Sequence, residues 1–261
     1  MNPALSDFID LMEGDEGPMG KPIGTIVLQM SSLIVYLDSE GVIQWSTSAG
    51  YHNWNAHFGE IQSSISYWES VCNKVFKPSD AYIYKSLLAE GYARILDDRD
   101  YQMALSAIEA GKDGIQKHGS EILKQQYLLS SFLCALVTGL AIIIIVINKK
   151  NVALILNNRV ELYEIMLASL FGGIGAFVFS SLKIKTYKPE LVISKELHRI
   201  DGGLRVVYGI ITGVIAVLAV KSNFALGFLP THSMYTLCFI GIIAGASDML
   251  IPNLIKKVES Q

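Results

Sequence analysis

Residues 127–261 carry four long apolar runs, and residues 1–126 carry none long enough to cross a bilayer. A helix needs about 20 apolar residues to cross a hydrocarbon core of about 30 Å. Residues 127–147 meet that length and end in Ala-Ile-Ile-Ile-Ile-Val-Ile. Residues 162–182 meet it too, with Glu164 as the sole charge. The third run, 206–220, is shorter, and Arg205 and Lys221 bracket it. Their long stems can carry the charges to headgroup level. The fourth, 235–251, holds one acid, Asp248. Crowded together with almost no polar face, these runs exclude the core of a soluble protein. The first lies too far from the N-terminus to be a secretion signal. The sequence therefore predicts an all-α chain: a mainly helical soluble domain over 1–126 and a four-helix transmembrane domain over 127–261.

Basic residues orient such a chain. Lys112, Lys117 and Lys124 precede the first span. Lys183, Lys185, Lys188, Lys195, Arg199 and Arg205 lie between the second and third, and Lys256 and Lys257 follow the fourth. Lys149, Lys150, Arg159 and Lys221 fall on the other side. The excess predicts that both termini are cytoplasmic, with Lys149-Lys150 as the dissenting pair.

Small residues recur at four-residue spacing in the spans: Ala135 and Gly139, Ala168 and Gly172, Ser169 and Gly173, Gly209 and Gly213, Gly241 and Gly245. Such faces let backbones approach closely in lipid. Packing within one bundle and self-association both use them. Arg205, where the third span begins, and Asp248, where the fourth ends, are expected at similar depth near one membrane face. An acid there is costly unless paired or wet, so the two are candidates for an ion pair or a gate.

The net charge of -3 and pI near 6.0 argue against general nucleic-acid binding. Cys72, Cys134 and Cys238 are too scattered for a disulfide framework or a metal motif, which suits a reducing cytosol around the soluble part. Gly14, Gly17, Pro18, Gly20 and Pro22 break up residues 1–22, leaving at most a helical turn over 7–12. Residues 26–37 read as one buried helix or strand, followed by a turn at Asp38-Ser39-Glu40-Gly41. From Glu60 onward Ile61, Ile65, Trp68, Cys72 and Val75 follow a helical period. Lys77-Pro78-Ser79-Asp80 stops that helix and offers Ser79 as a cap for the next, which runs to about Leu96. A third helix is expected over 101–110, ending at Gly111, and residues 115–126 should continue as helix into the first span. Residues 87–110 resemble a tetratricopeptide hairpin in shape, but one unit is not an array.

Candidate chemistry is sparse. His52, His57 and Glu60 lack a third strong metal ligand and a recognised spacing. Trp45, Tyr51, Trp54, Phe58, Tyr67 and Trp68 suit either a core or a binding surface. Gly172, Gly173 and Gly175 lie inside a span, so they are not a phosphate loop. The stretch 198–205 precedes the third span, and its Gly202 and Gly203 permit close helix contact. Arg199 and Arg205 there are candidate contacts for lipid phosphates or an acidic partner. No nucleophile–base set or carboxylate pair can be assembled, so neither enzymatic activity nor a cofactor is expected.

The stretch Arg199-Ile-Asp-Gly-Gly-Leu-Arg205, with the ending Ala244-Gly-Ala-Ser-Asp248-Met-Leu-Ile-Pro252-Asn-Leu254, resembles small multi-span bacterial inner-membrane proteins. The overall build is similar to that of membrane effectors of anti-phage systems. That resemblance implies an oligomeric, membrane-perturbing protein, surrounded by lipid, whose cytosolic head binds a protein partner. A non-conducting anchor and a small transporter are the alternatives, and the transporter is disfavoured by the scarcity of ionisable groups in the spans.

Overall fold

The computed structural model describes residues 8–49, 51, 55–97, 100–156, 159–222 and 233–247. Two compact units divide the chain. One comprises Met1–Ile122 with Glu190–Ser194, the other Leu123–Pro189 with Lys195–Gln261.

The first unit is not all-helical. Three antiparallel strands, β1 (Ile23–Gln29), β2 (Leu33–Asp38) and β3 (Ile43–Thr47), form a sheet in sequence order. The run 26–37 is thus two strands rather than one element. Met30 donates to Leu33 O across Ser31-Ser32, and this short connection folds the β-branched flanks into a hairpin. The second turn lies where the sequence places it: Gly41 has φ +71, a conformation few other residues adopt at low cost. Asp38 Oδ1 accepts the Glu40 and Val42 N–H groups and closes that turn.

Every residue of β2 is buried, because the sheet is covered on both faces. Leu33, Val35 and Leu37 join the main core, while Ile34 and Tyr36 join Phe8 and Ile23 on the opposite face. This is the strict alternation of a pleated strand. Residues 9 and 10 make a turn closed by Leu11 donating to Phe8 O, and no helix forms over the described part of 7–12.

Helices α1 (Phe58–Val75), α2 (Pro78–Leu96) and the start of α3 (Tyr101–Ile147) complete the main core. Pro78 opens α2 at its first position, where a missing N–H costs nothing. The cap position is Lys77, not Ser79, and no side chain caps it. Asp100 Oδ1 accepts the N–H groups of Gln102 and Met103 and starts α3. That helix does not stop at Gly111; it runs on to Ile147, 47 residues in all. Gly91, Gly111 and Gly114 sit in the α2–α3 contact, where added methyl groups would press on Ile108, Leu88 and Tyr84. Helical hydrogen bonding and this fit override the local weakness of glycine. Leu191, from the connector after the second apolar run, packs against Gly119 and the main core.

In the second unit, the end of α3 is followed by α4 (Lys149–Ile155), α5 (Val160–Lys183), α6 (Lys195–Lys221) and α7 (Met234–Ala246). Three described helices, α3, α5 and α6, are long and apolar enough to cross a membrane. The expected fourth span is a helix of 13 residues, with extended backbone at Ser247. Its remainder, including Asp248, lies outside the described residues, as does Pro252 after it.

Candidate functional site

Glycine sets the geometry of the bundle. At Gly172, α5 lies against Gly209 and Gly213 of α6 and against Gly245 of α7. A Cβ built on Gly209 would stand 2.6 Å from Gly172 O, and one on Gly213 3.1 Å from Ser169 Cα. Cβ atoms on Gly241 and Gly175 would collide with the carbonyls of Ala168 and Ile242. Backbone therefore meets backbone on both flanks of α5. Gly209, Gly213, Gly241 and Gly245 all serve contacts within this chain. Gly139, with the same spacing in sequence, has open space within 4 Å of its would-be Cβ.

The residues Arg199, Gly202 and Gly203 form a seam between α6 and α3. A side chain at Gly202 would run into the Tyr127 carbonyl. Ser131 donates to Gly202 O at 2.8 Å, and Ser130 to Arg199 O at 2.5 Å. The Arg199 Nε donates to Gln126 Oε1 at 2.6 Å. Around Gly203, Cys134 Sγ and Ser130 Oγ lie at ordinary contact distance. In lipid such hydroxyl–carbonyl bonds fasten helices where no hydrophobic gain is available.

Beside this seam the two cations Lys183 and Arg205 converge. The Lys183 ammonium lies 4.2 Å from the Phe179 ring centre, and the Arg205 guanidinium 5.5 Å from it. They line a cavity of about 200 Å³ with Tyr127, Ser180, Ile184 and Tyr187. Tyr127 stacks on Tyr187 at 4.9 Å, and the Tyr187 hydroxyl lies 3.2 Å from Nδ1 of the buried His198. Only Arg205 of this group stands out from the sequence. The signal for Lys183 was its place at the end of one span while Arg205 opens the next.

The expected partner of Arg205, Asp248, lies outside the described residues. A different ion pair is present: Lys221 Nζ donates to Glu164 Oε2 at 2.7 Å, joining the end of α6 to the start of α5. Their side chains are only 18% (Glu164) and 21% (Lys221) exposed, so the pairing offsets the cost of holding either charge away from water.

In the first unit, a buried polar network ties α1 and α2 to the β2–β3 turn. The Lys85 ammonium donates to Gly41 O at 2.6 Å and lies 3.9 Å from Glu69. Glu69 accepts the Ile43 N–H at 2.9 Å, and burial holds its carboxyl above the ordinary range. Burial likewise pushes the Cys72 thiol up to about 11, which makes it unreactive. Lys85 is the sequence signal here, a lone cation among Ala81, Leu88, Ala89 and Tyr92 on the buried side of α2. A cleft of about 380 Å³ opens beside the edge strand β1, lined by Val27, Leu28, Leu87, Glu90, Arg94 and Asp97 among others. His57 pairs with Glu60 at 3.4 Å and stacks on Tyr101, while His52 and Trp54 lie outside the described residues. Trp45, Phe58 and Tyr92 pack together against the main core.

Comparison with protein-family models, curated proteins and solved structures returns no match.

Proposed function

We propose that this chain is a multi-pass protein of a bacterial inner membrane, with both termini cytoplasmic and a head that senses a cytosolic protein partner. The bundle is its output, and its action is to perturb the membrane, in the manner of anti-phage effectors. The supporting observation is α3. One helix supplies Ile108 and Ile115 to the head core and then Ser131 and Ala135 to the buried side of the second unit. A continuous helix holds its hydrogen-bond ladder from end to end. The 190–194 connector adds a second covalent link. Partner binding at the β1–α2 cleft then bears on the helices that carry the head.

Because α5, α6 and α7 meet backbone to backbone, leakage runs between copies of the chain and not through one. The effector is therefore an oligomer, with lipid around it and no catalytic step. The second reading is a non-conducting anchor for a cytosolic partner, and the tight glycine contacts are equally suited to it.

The test is membrane potential in bacteria, read with a voltage-sensitive dye during induced expression. The full chain is compared with one carrying Gly-Ser-Gly-Ser between Ile122 and Leu123. Depolarisation by the first alone, at equal accumulation in the membrane, fits the effector. Equal depolarisation by both removes α3 as the relay. Silence of the full chain, both alone and together with partners captured on the head, leaves the anchor.

A further inference from the structure

We infer that the cavity between Lys183 and Arg205 is a binding site for a phosphate-bearing anion, supplied by the headgroup of an anionic phospholipid. Two observations on this chain point there independently. The first is convergence: an ammonium and a guanidinium from different helices share one aromatic ring, Phe179, at 4.2 and 5.5 Å. The ring fixes both long side chains at the cavity wall and reduces the entropy lost when an anion is held. The second is the rest of the lining. Tyr127, Tyr187 and the buried Ser180, three residues with hydroxyl groups, line the same space of about 200 Å³, the Tyr127 hydroxyl 3.4 Å from Ser180 Oγ. Hydroxyl donors with a guanidinium fork match a phosphate's several acceptor oxygens better than a single carboxylate's two.

Depth selects the source. Lys183 is the last residue of α5, and Arg205 is followed directly by the apolar part of α6. Basic pockets between membrane helices at that level hold lipid headgroups, and tyrosine is at home at the same depth. Tyr187 and His198 anchor the connector to α6 at the cavity rim. The inference rests on membrane insertion, and not on the effector reading.

The experiment uses the full chain. Alkaline carbonate extraction comes first: loss of the chain from the membrane fraction would count against membrane insertion itself, separately from this site. The chain is then placed in nanodiscs of phosphatidylcholine with phosphatidylglycerol, and the lipid retained after detergent exchange is measured by native mass spectrometry. Selective retention of phosphatidylglycerol is expected in the wild type. Lys183→Gln with Arg205→Gln should lower it about tenfold, the effect of losing a charge-assisted contact. Lys188→Gln with Lys195→Gln should leave it unchanged, and Arg205→Lys should keep part of it. Titration of inorganic phosphate into pure phosphatidylcholine nanodiscs separates the sources. Phosphate binding that the double variant loses, without retained phosphatidylglycerol, keeps the anion site but overturns the lipid source. Equal phosphatidylglycerol and phosphatidylcholine retention in the wild type, with no phosphate binding, overturns the site, and this outcome does not depend on any variant folding.

Discussion

The head buries Leu33, Val35, Leu37, Ile65, Leu88 and Ile108 against one another, whereas α5 meets α6 and α7 through Gly172, Gly209, Gly213, Gly241 and Gly245. Both regions are helix-rich and densely packed, yet they use opposite residue sizes. In water, large apolar side chains gain by leaving solvent, at about 25 cal/mol per Å². In lipid that gain vanishes, because the tails are as apolar as leucine, and close backbone approach with many small contacts takes over. Polar groups divide in the same way. The head closes a network through Lys85, Glu69 and the Gly41 carbonyl, while the bundle pairs Glu164 with Lys221 near a helix end.

This contrast can be broken most sharply at Gly172. Gly172→Leu puts a side chain where the Gly209 carbonyl lies, and should cost upwards of about 3 kcal/mol of bundle stability. The expected readout is loss of the folded chain from membranes, with tryptophan fluorescence of any surviving head unchanged. All three tryptophans, Trp45, Trp54 and Trp68, lie in residues 1–126, so they report on the head alone. Leu88→Ala is the mirror experiment. Leu88 is fully buried, and its truncation should cost the head about 3 kcal/mol in urea while the bundle resists.

Lys85→Met keeps the apolar stem and removes the ammonium from Gly41 O and Glu69. A loss of about 2 kcal/mol is expected, because the Gly41 carbonyl loses its donor and the Glu69 carboxyl its nearby cation. A cost near zero would show that the network is replaceable by packing.

The pH prediction is smaller. Glu69 in the folded head binds its proton more tightly than in the unfolded chain, since burial raises its pKa above 4.5. Head stability from this group is thus greatest below the ordinary glutamate value and declines as pH rises through the raised one. Glu69→Gln should abolish that decline, so the variant gains on the wild type with rising pH across the window. Parallel urea midpoints at every pH would remove Glu69 as the source.

The smallest effect is expected at Gly139→Leu, within about 0.5 kcal/mol, because open space faces it. A large loss of an oligomer on cross-linking would instead mark this face as the contact between copies.

Much of the architecture is readable from residue order. Period and length alone reveal α1, α2, the turn at Asp38–Gly41 and the apolar helices, because each is specified by neighbours in sequence. The sheet was not, since residues 26–37 are apolar in a run that fits helix or strand equally, and only pairing with β3 and cover on both faces make it a hairpin. The end of α3 was misread because Gly111 looks like a stop when its α2 neighbours are unknown. Among site residues, Arg205 was visible from its place beside a span. Lys183 and the Glu164–Lys221 pair needed knowledge of which helix ends meet.

What the sequence by itself determined is therefore which stretches are long and apolar enough to cross a membrane, because hydropathy over about 20 residues depends on composition and not on partners. Tertiary structure alone decided which glycines are contacts. Gly139 and Gly172 share the same spacing in sequence, but only Gly172 has a carbonyl at its Cβ position, and spatial neighbours are a property of the folded chain.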